Sequence, residues 1–486
     1  MTIDQEKMLV PTLNRLANAA TLGSEICQIF RARVEEGRTP GACFVVFDET
    51  GSLLNGAAGK KNDDGVQPDL QTFFRIASCT KSFTAAMILI LRDRGELDLD
   101  TPITHFVPEL RPMLPPVTPV APTIRMLLAM AGGLPTDNPW ADRLEAISGR
   151  ELRGILADGI RFQSAPGSSF EYSNLGYALL GQVIEEVTGL TFCDAVAEAI
   201  LKPLGLHATR FDFTAVPTAD LAIGYRRAAG EWVRLPFSGP GAFSCIGGLI
   251  STPLDLAAWV RWLISAFDAD AEDGNVLSAA SRREMQQIAC PILPTNSAGS
   301  ACSRGYGFGL HVDEDDRFGR IVYHSGGYPG FTSHMRWSVR ERIGIVAFEN
   351  ATYCATREPA AEGLRKVLDS LPEVKRVPEV KSDISHLVER LKSLIGEWDD
   401  EIANEIFHSN VPLDCPYQER ASEIMTLTGQ NGRPDMSLAE IVVKDHTHFD
   451  LMVPCGSGVL RCSAQLGPTM PPRIQALTVS HTNQTA

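Results

Sequence analysis

Ser78 and Lys81, in FRIASCTKSF (residues 74–83), stand three positions apart at the start of an apolar run. Three residues are close to one helical turn, so both side chains face the same way. A helix N-terminus adds free N–H groups and partial positive charge, which suit a developing oxyanion. A free serine is a weak nucleophile and needs a base beside it. Lysine can be that base only when neutral, and its ordinary pKa of about 10.4 must then be lowered by burial or a second cation. The residues after it (Phe83, Ala85, Ala86, Met87, Ile88) make burial reasonable. Alone, the same spacing also describes a helix cap followed by a surface lysine.

Two further motifs share this chemistry. Tyr172 and Asn174, in EYSN, precede a helix-like run. A tyrosine near cations can ionise and relay a proton, and an asparagine two residues on can anchor a lysine and a substrate carbonyl. As structure, the pair reads as a buried tyrosine and a helix cap. His324, in HSGG (324–327), brings a hydrogen-bonding or cationic side chain, followed by small residues that admit a substrate backbone. A structural histidine is the other reading.

The elements around these motifs can be read from periodicity. Residues 1–40 read as helix, and 41–59 as two strands about a turn at Asp48, Glu49 and Gly51. Helices are expected over 78–95, 174–188 and 255–267; the second has Leu175, Leu179, Val183 and Val187 at helical spacing. Strand signals return at 306–312, 320–326, 332–339 and 343–350 as an antiparallel meander, followed by a helix over 356–371. Strands at both ends with helices between imply one sheet closed by distant parts of the chain. The run LPEVKRVPEVK (371–381) reads as a linker, and residues from about 382 onward as a second unit: a short helix, then strands near 439–443, 449–453 and 458–463. The tail from 480 reads as disordered.

Together and in this order, S-x-x-K (Ser78/Lys81), Y-x-N (Tyr172/Asn174) and H-x-G (His324/Gly326) resemble the penicillin-recognising serine hydrolases. The similarity is to the class C β-lactamase-like branch, with its family VIII carboxylesterases, D-aminopeptidases and DD-peptidases. MLLAMAGGLP (126–135), IGGLISTPLDLA (246–257) and YGFGL (306–310) look similar too, and the resemblance spans roughly residues 25–372. It implies an α/β (α+β) fold, with an antiparallel sheet flanked by helices plus an all-helical subdomain. It implies that Ser78 is the acylated nucleophile, that Lys81 and Tyr172 share its proton, and that Asn174 orients Lys81 and the substrate. The N–H groups of Ser78 and Gly327 would form the oxyanion hole, with Gly326 against the substrate. Tyr172 would be the acid for the leaving group and the base for the deacylating water.

The chain departs from the β-lactamase pattern in carrying His324 where those enzymes carry lysine. H-x-G resembles D-aminopeptidases and many family VIII esterases, which points away from β-lactamase activity. MAGG (130–133) replaces the hydroxyl-rich stretch of many relatives, in a loop that is not catalytic. Trp140, in the turn-rich GLPTDNPWADR (133–143), is a candidate substrate-binding residue; a packed surface loop is the other reading. Gly396-Glu397-Trp398 resembles the first strand of lipocalin-like barrels, so the domains expected are 1–375 (hydrolase), 376–385 (linker) and 386–486 (small β-barrel).

Composition narrows the function classes. The net charge of −15 repels phosphate backbones and anionic lipid, which argues against nucleic-acid and membrane partners. Residues 1–28 show no export-signal pattern, so the expected location is the cytoplasm. Eleven scattered cysteines without a C-x-x-C read as free thiols. His446 and His448 have ligand-like spacing but read as exposed loop residues, so no metal and no other cofactor is expected. No G-x-S-x-G, H-E-x-x-H, P-loop or G-x-G-x-x-G supports a rival chemistry. The expectation is a serine hydrolase acting on small-molecule esters, amides or peptides, including D-amino-acid amides. An acyltransferase resembling the penicillin-binding-protein-type thioesterases that cyclise nonribosomal peptides is the alternative, and a non-catalytic ligand sensor on the same fold is a second one.

Overall fold

The computed structural model describes residues 16, 18–113, 120–268, 271, 274–293, 303–372, 382–445 and 447–482. The chain divides into two compact units, Met1–Pro372 and Glu373–Ala486.

In the first unit, β1 (Gly41–Phe47) reads GACFVVF and is buried at every position. Successive strand side chains point to opposite faces, so such a strand must be covered on both. Cys43, Val45 and Phe47 enter one core, and Ala42, Phe44 and Val46 the other. β2 (Ser52–Gly59) returns beside it. Two short pairs follow: β3 (Phe74–Arg75) with β6 (Ile250–Ser251), and β4 (Gly224–Ala228) with β5 (Glu231–Leu235). The meander comprises β7 (Cys290–Pro291), β8 (Ser303–Tyr306), β9 (His311–Asp315), β10 (Gly319–Tyr328), β11 (Phe331–Ser338) and β12 (Ile343–Glu349). These strands form one antiparallel sheet, ordered β2-β1-β12-β11-β10-β9-β8-β7. The β1–β12 pairing joins the two ends of the unit, as the strand pattern predicted.

Helices α1 (Ala19–Glu35) and α11 (Arg357–Ser370) cover one face, packing Ile26, Phe30, Ala360 and Leu364 on Phe44 and Ile345. Residues 1–15 and 17 of the N-terminal helix expectation lie outside the described residues. The other face carries α2 (Thr80–Asp93) and a helical layer: α3 (Ile124–Leu128), α4 (Asn138–Ala141), α5 (Gly149–Asp158), α6 (Asn174–Thr188), α7 (Phe192–Val196), α8 (Ser244–Gly247), α9 (Pro253–Ile264) and α10 (Ala279–Met285). α2 is buried from Thr80 to Leu91, so it is a core helix and not an amphipathic surface one. This is the mixed α/β, antiparallel-sheet architecture that the motifs implied.

The second unit holds α12 (Ser382–Gly396), α13 (Asp400–Ile406), α14 (Val411–Asp414) and α15 (Tyr417–Asn431). A four-stranded antiparallel sheet follows: β13 (Glu440–Val443), β14 (His448–Cys455), β15 (Gly458–Leu466) and β16 (Ile474–Thr482). The three strand signals fall on β13, β14 and β15. The sheet is open, ordered β13-β14-β15-β16, so its edge strands do not close a barrel among the described residues. Gly396-Glu397-Trp398 ends a helix and starts no strand. Leu387, Val388, Leu391, Leu394 and Ile395 recur at helical spacing and bury one face of α12, and Asp399 caps α13 directly after Trp398. Of the expected linker, 376–381 lie outside the described residues and 382–385 open α12. His446 and residues 483–486 of the tail also lie outside; His448 is on β14, with Nε2 3.1 Å from Ser463 Oγ.

Candidate active site

A tight turn over Ala77–Cys79 feeds α2, and Ala77 takes the left-handed region at φ 47°. A non-glycine residue there is strained and must be held by its surroundings. Ile76 N donates to Leu249 O at 2.9 Å, and Ser333 Oγ donates to Ile76 O at 2.6 Å. The turn presents Ser78, 9% exposed, at the head of α2.

Lys81, one turn on, is fully buried. Its Nζ lies 3.2 Å from Ser78 Oγ, 2.7 Å from Asn174 Oδ1 and 2.9 Å from the Ile246 carbonyl. A neutral amine has two N–H donors and one lone pair. The two carbonyl oxygens can only accept, so they take the donors, and the lone pair is left for the serine hydroxyl. Burial pushes the Lys81 pKa down to about 8, against the opposing charges of Asp142 and Asp137. Roughly one lysine in ten is then neutral at pH 7. The adjacent Cys79 offers no rival nucleophile, because burial raises its thiol to about 12.

Asn174 is the first residue of α6. Asp137 accepts from Asn174 N at 2.7 Å and from Leu175 N at 2.8 Å, while the N-cap Ser173 accepts from Gly176 N at 3.2 Å. Three N–H groups of the first turn are thus satisfied, two by a carboxylate at the positive end of the helix. Asn138 accepts from Asn174 Nδ2 at 2.7 Å, which fixes the amide so that its oxygen faces Lys81. Asp137 and Asn138 were missed as site residues. Their signal was the Thr-Asp-Asn-Pro run, which is helix-start chemistry.

Tyr172 is close enough to Ser78 for the serine hydroxyl to lower its pKa, and its ring centroid is 5.2 Å from Lys81 Nζ. Burial drives its pKa well above that of a free phenol, outweighing that effect. The resting side chain is therefore a neutral phenol, the form that the expected role as acid for the leaving group requires.

His324 is buried on β10. Its Nδ1 is 2.7 Å from Ser325 O, and its Nε2 is 3.0 Å from the Tyr306 hydroxyl. A carbonyl only accepts, so Nδ1 carries the proton and Nε2 accepts from Tyr306. Burial drives the His324 pKa well below the ordinary value, with His311 and Lys81 pushing the same way. Of the two readings, hydrogen-bonding or cationic, the geometry fits the first: His324 is a neutral acceptor that anchors Tyr306. The Tyr306 and His311 rings pack near Tyr172, the latter nearly parallel to it at 6.5 Å.

Gly326 is required by close approach. A Cβ there would stand 2.4 Å from Ile76 O and 2.9 Å from Ala77 Cβ. Its absence lets β10 lie against the Ser78 turn, which brings the Gly327 and Ser78 segments together. A Cβ on Gly327 would stand 2.7 Å from the Tyr353 ring. Trp140 is half-exposed on α4, two residues from Asn138, and meets Phe243 edge-on at 5.7 Å. The three motifs thus converge: Ser78, Lys81 and Asn174 are joined through the Lys81 amine, and the Tyr172 ring lies over that amine and 6.2 Å from the His324 ring. Among the described residues, no group of three His, Cys, Asp or Glu side chains is placed to hold a metal ion. No described helix is long and apolar enough to cross a membrane.

Comparison with known proteins gives the same frame. Protein flp of Staphylococcus aureus (strain COL) is 27% identical over 335 residues, which cover 67% of this chain and 62% of that protein. The chain therefore matches under two thirds of that relative's length. The D-alanyl-D-alanine-carboxypeptidase/endopeptidase AmpH of Escherichia coli (strain K12) is 25% identical over 335 residues, covering 68% of this chain and 84% of that one. The D-stereospecific amidohydrolase from a Streptomyces species superposes with a TM-score of 0.58 at 24% identity, covering 70% of this chain and 97% of that chain, a likeness of fold. The model of the family described as Beta-lactamase matches residues 26–369, and the chain belongs to that family.

Proposed function

We propose that this protein is a serine hydrolase that forms an acyl-enzyme at Ser78 and hydrolyses carboxylic esters or small amides, D-amino-acid amides among them. One observation carries the reading: the Ser78 hydroxyl lies against a buried lysine whose two carbonyl partners leave its lone pair facing that hydroxyl.

The cycle starts from a neutral Tyr172 and from the neutral fraction of Lys81. Neutral Lys81 takes the Ser78 proton as Oγ attacks the substrate carbonyl. The N–H groups of Ser78 and Gly327 stabilise the oxyanion. Neutral Tyr172 donates its proton to the leaving alcohol or amine, and the phenolate, beside the Lys81 ammonium, recovers one from it. A water then attacks the acyl-enzyme, with Tyr172 and Lys81 returning the proton to Ser78. Asn174 holds Lys81 and offers its amide to the substrate carbonyl side. Trp140 supplies an apolar contact at the cleft. The amide part of the reading is supported by the relatives, whose names include a D-stereospecific amidohydrolase and a D-alanyl-D-alanine carboxypeptidase.

The test compares initial rates on p-nitrophenyl butyrate and D-alanine p-nitroanilide, with Ser78→Ala as the blank. Turnover of either that vanishes in Ser78→Ala supports the reading, and their ratio separates esterase from D-amidase. Turnover that survives in Ser78→Ala refutes it.

A further inference from the structure

Tyr353 lies outside all three motifs. It is 50% exposed, yet nothing about its setting is loose. Its hydroxyl donates to Asp142 Oδ2 at 2.7 Å, and that carboxylate is buried at the end of α4. Its ring lies flat enough on Gly327 that a β-carbon there would collide with it. Tyr353 and Ala355 both take left-handed backbone, at φ 50° and 59°. Two such non-glycine residues in one turn are costly and need external support. Thr352 Oγ1 accepts from Gly330 N at 2.8 Å and donates to Tyr225 O at 3.1 Å, and Cys354 N donates to Thr332 Oγ1 at 3.1 Å. The turn after β12 thus aims one aromatic ring at the β10 side of the cleft, and Asp142 ties it to the helical side.

The position along β10 gives that ring its meaning. His324, with Tyr306 and Tyr172 beside it, marks the end where the leaving group is protonated. Gly327 lies three residues further, about 10 Å along the strand. With the Gly327 N–H as an oxyanion donor, the carbonyl of a bound substrate would sit against Gly327, and with the leaving group on the His324 side the acyl chain would run toward Tyr353. The geometry points to Tyr353, tied by Asp142, as the residue that closes the acyl end of the cleft and selects short acyl groups. This rests on the acyl-enzyme reading above and deepens it.

The experiment uses the full-length chain and a series of p-nitrophenyl esters from acetate to decanoate, read as the kcat/KM ratio of octanoate to acetate. In Tyr353→Ala the ratio should rise about tenfold or more, the scale at which a pocket discriminates a few methylenes. Tyr353→Phe keeps the ring and loses the tie to Asp142, so its ratio should fall between those of wild type and Tyr353→Ala. The same comparison with ethyl and octyl fluorophosphonates reads only the attack of Ser78 on phosphorus with loss of fluoride. It therefore stands even if the acyl-enzyme passes to an acceptor other than water, and labelling by the ethyl probe shows that each variant is folded. An unchanged octyl-to-ethyl ratio in Tyr353→Ala overturns the proposal, as does a wild type that already prefers the octyl probe.

Discussion

At the residue scale, the account turns on which groups carry protons at rest. Lys81 must lose its proton to act as base, and its pKa is pushed down to about 8 by burial. Below that pH the neutral fraction falls as protons bind, so kcat/KM should drop about fiftyfold from pH 8 to pH 6 and level off above about pH 9. His324 is buried and neutral, held well below the ordinary histidine range, so no second limb should appear near pH 6.5. A pH profile of kcat/KM on one ester checks both; a flat profile through pH 7 would remove Lys81 from the base role. Tyr172→Phe should lower kcat by about 10²–10⁴, the cost of a lost proton-transfer group. Stopped-flow separation of acylation from deacylation would show whether both steps suffer, as the cycle requires.

At the element scale, the site is a product of three contacts between segments far apart in sequence. Asp137 caps α6 through Asn174 N and Leu175 N. Asp137→Ala leaves both donors unpaired and should cost about 1–2 kcal/mol of stability, read as a lowered midpoint in urea. Because the same turn aims Asn174 at Lys81, activity should fall as well. Gly326→Ala drives a β-carbon into Ile76 O and Ala77, so it should slow fluorophosphonate labelling of Ser78 more than it lowers the melting temperature.

These contacts also explain what the sequence could reveal. Ser78 and Lys81 were legible because one helical turn joins them, and Tyr172 and Asn174 because they flank a helix start. β1 and β10–β12 were legible from apolar runs between turns, whereas 306–312, read as one strand, is the connection from β8 to β9, where Gly307 and Gly309 break the strand. Ile246 was invisible as a partner of Lys81, because it contributes a backbone carbonyl and any residue has one. Asp137, Asn138 and Tyr306 reach the site only through the fold, and neither the neutrality of His324 nor that of Tyr172 can be read without knowing their burial. In the second unit, the short helix expected from about residue 382 is α12, while the three-residue likeness at 396–398 falls at its end and starts no strand.

At the scale of the whole molecule, the two compact units have separate apolar cores, one around α2 and the large sheet, the other around α12 and the β13–β16 sheet. Units with their own cores unfold as separate cooperative steps. Calorimetry of the full chain should show two transitions, and a single one would mean that the units are coupled. All the motif residues belong to the first unit, and the family match ends within it at residue 369. The most direct test of the central claim is the intact mass of the full chain after reaction with an alkyl fluorophosphonate, followed by peptide mapping. The account predicts a single adduct on the peptide carrying Ser78, formed faster as the pH rises toward 8 and absent in Ser78→Ala. An adduct on any other residue, or one that persists in Ser78→Ala, would contradict it.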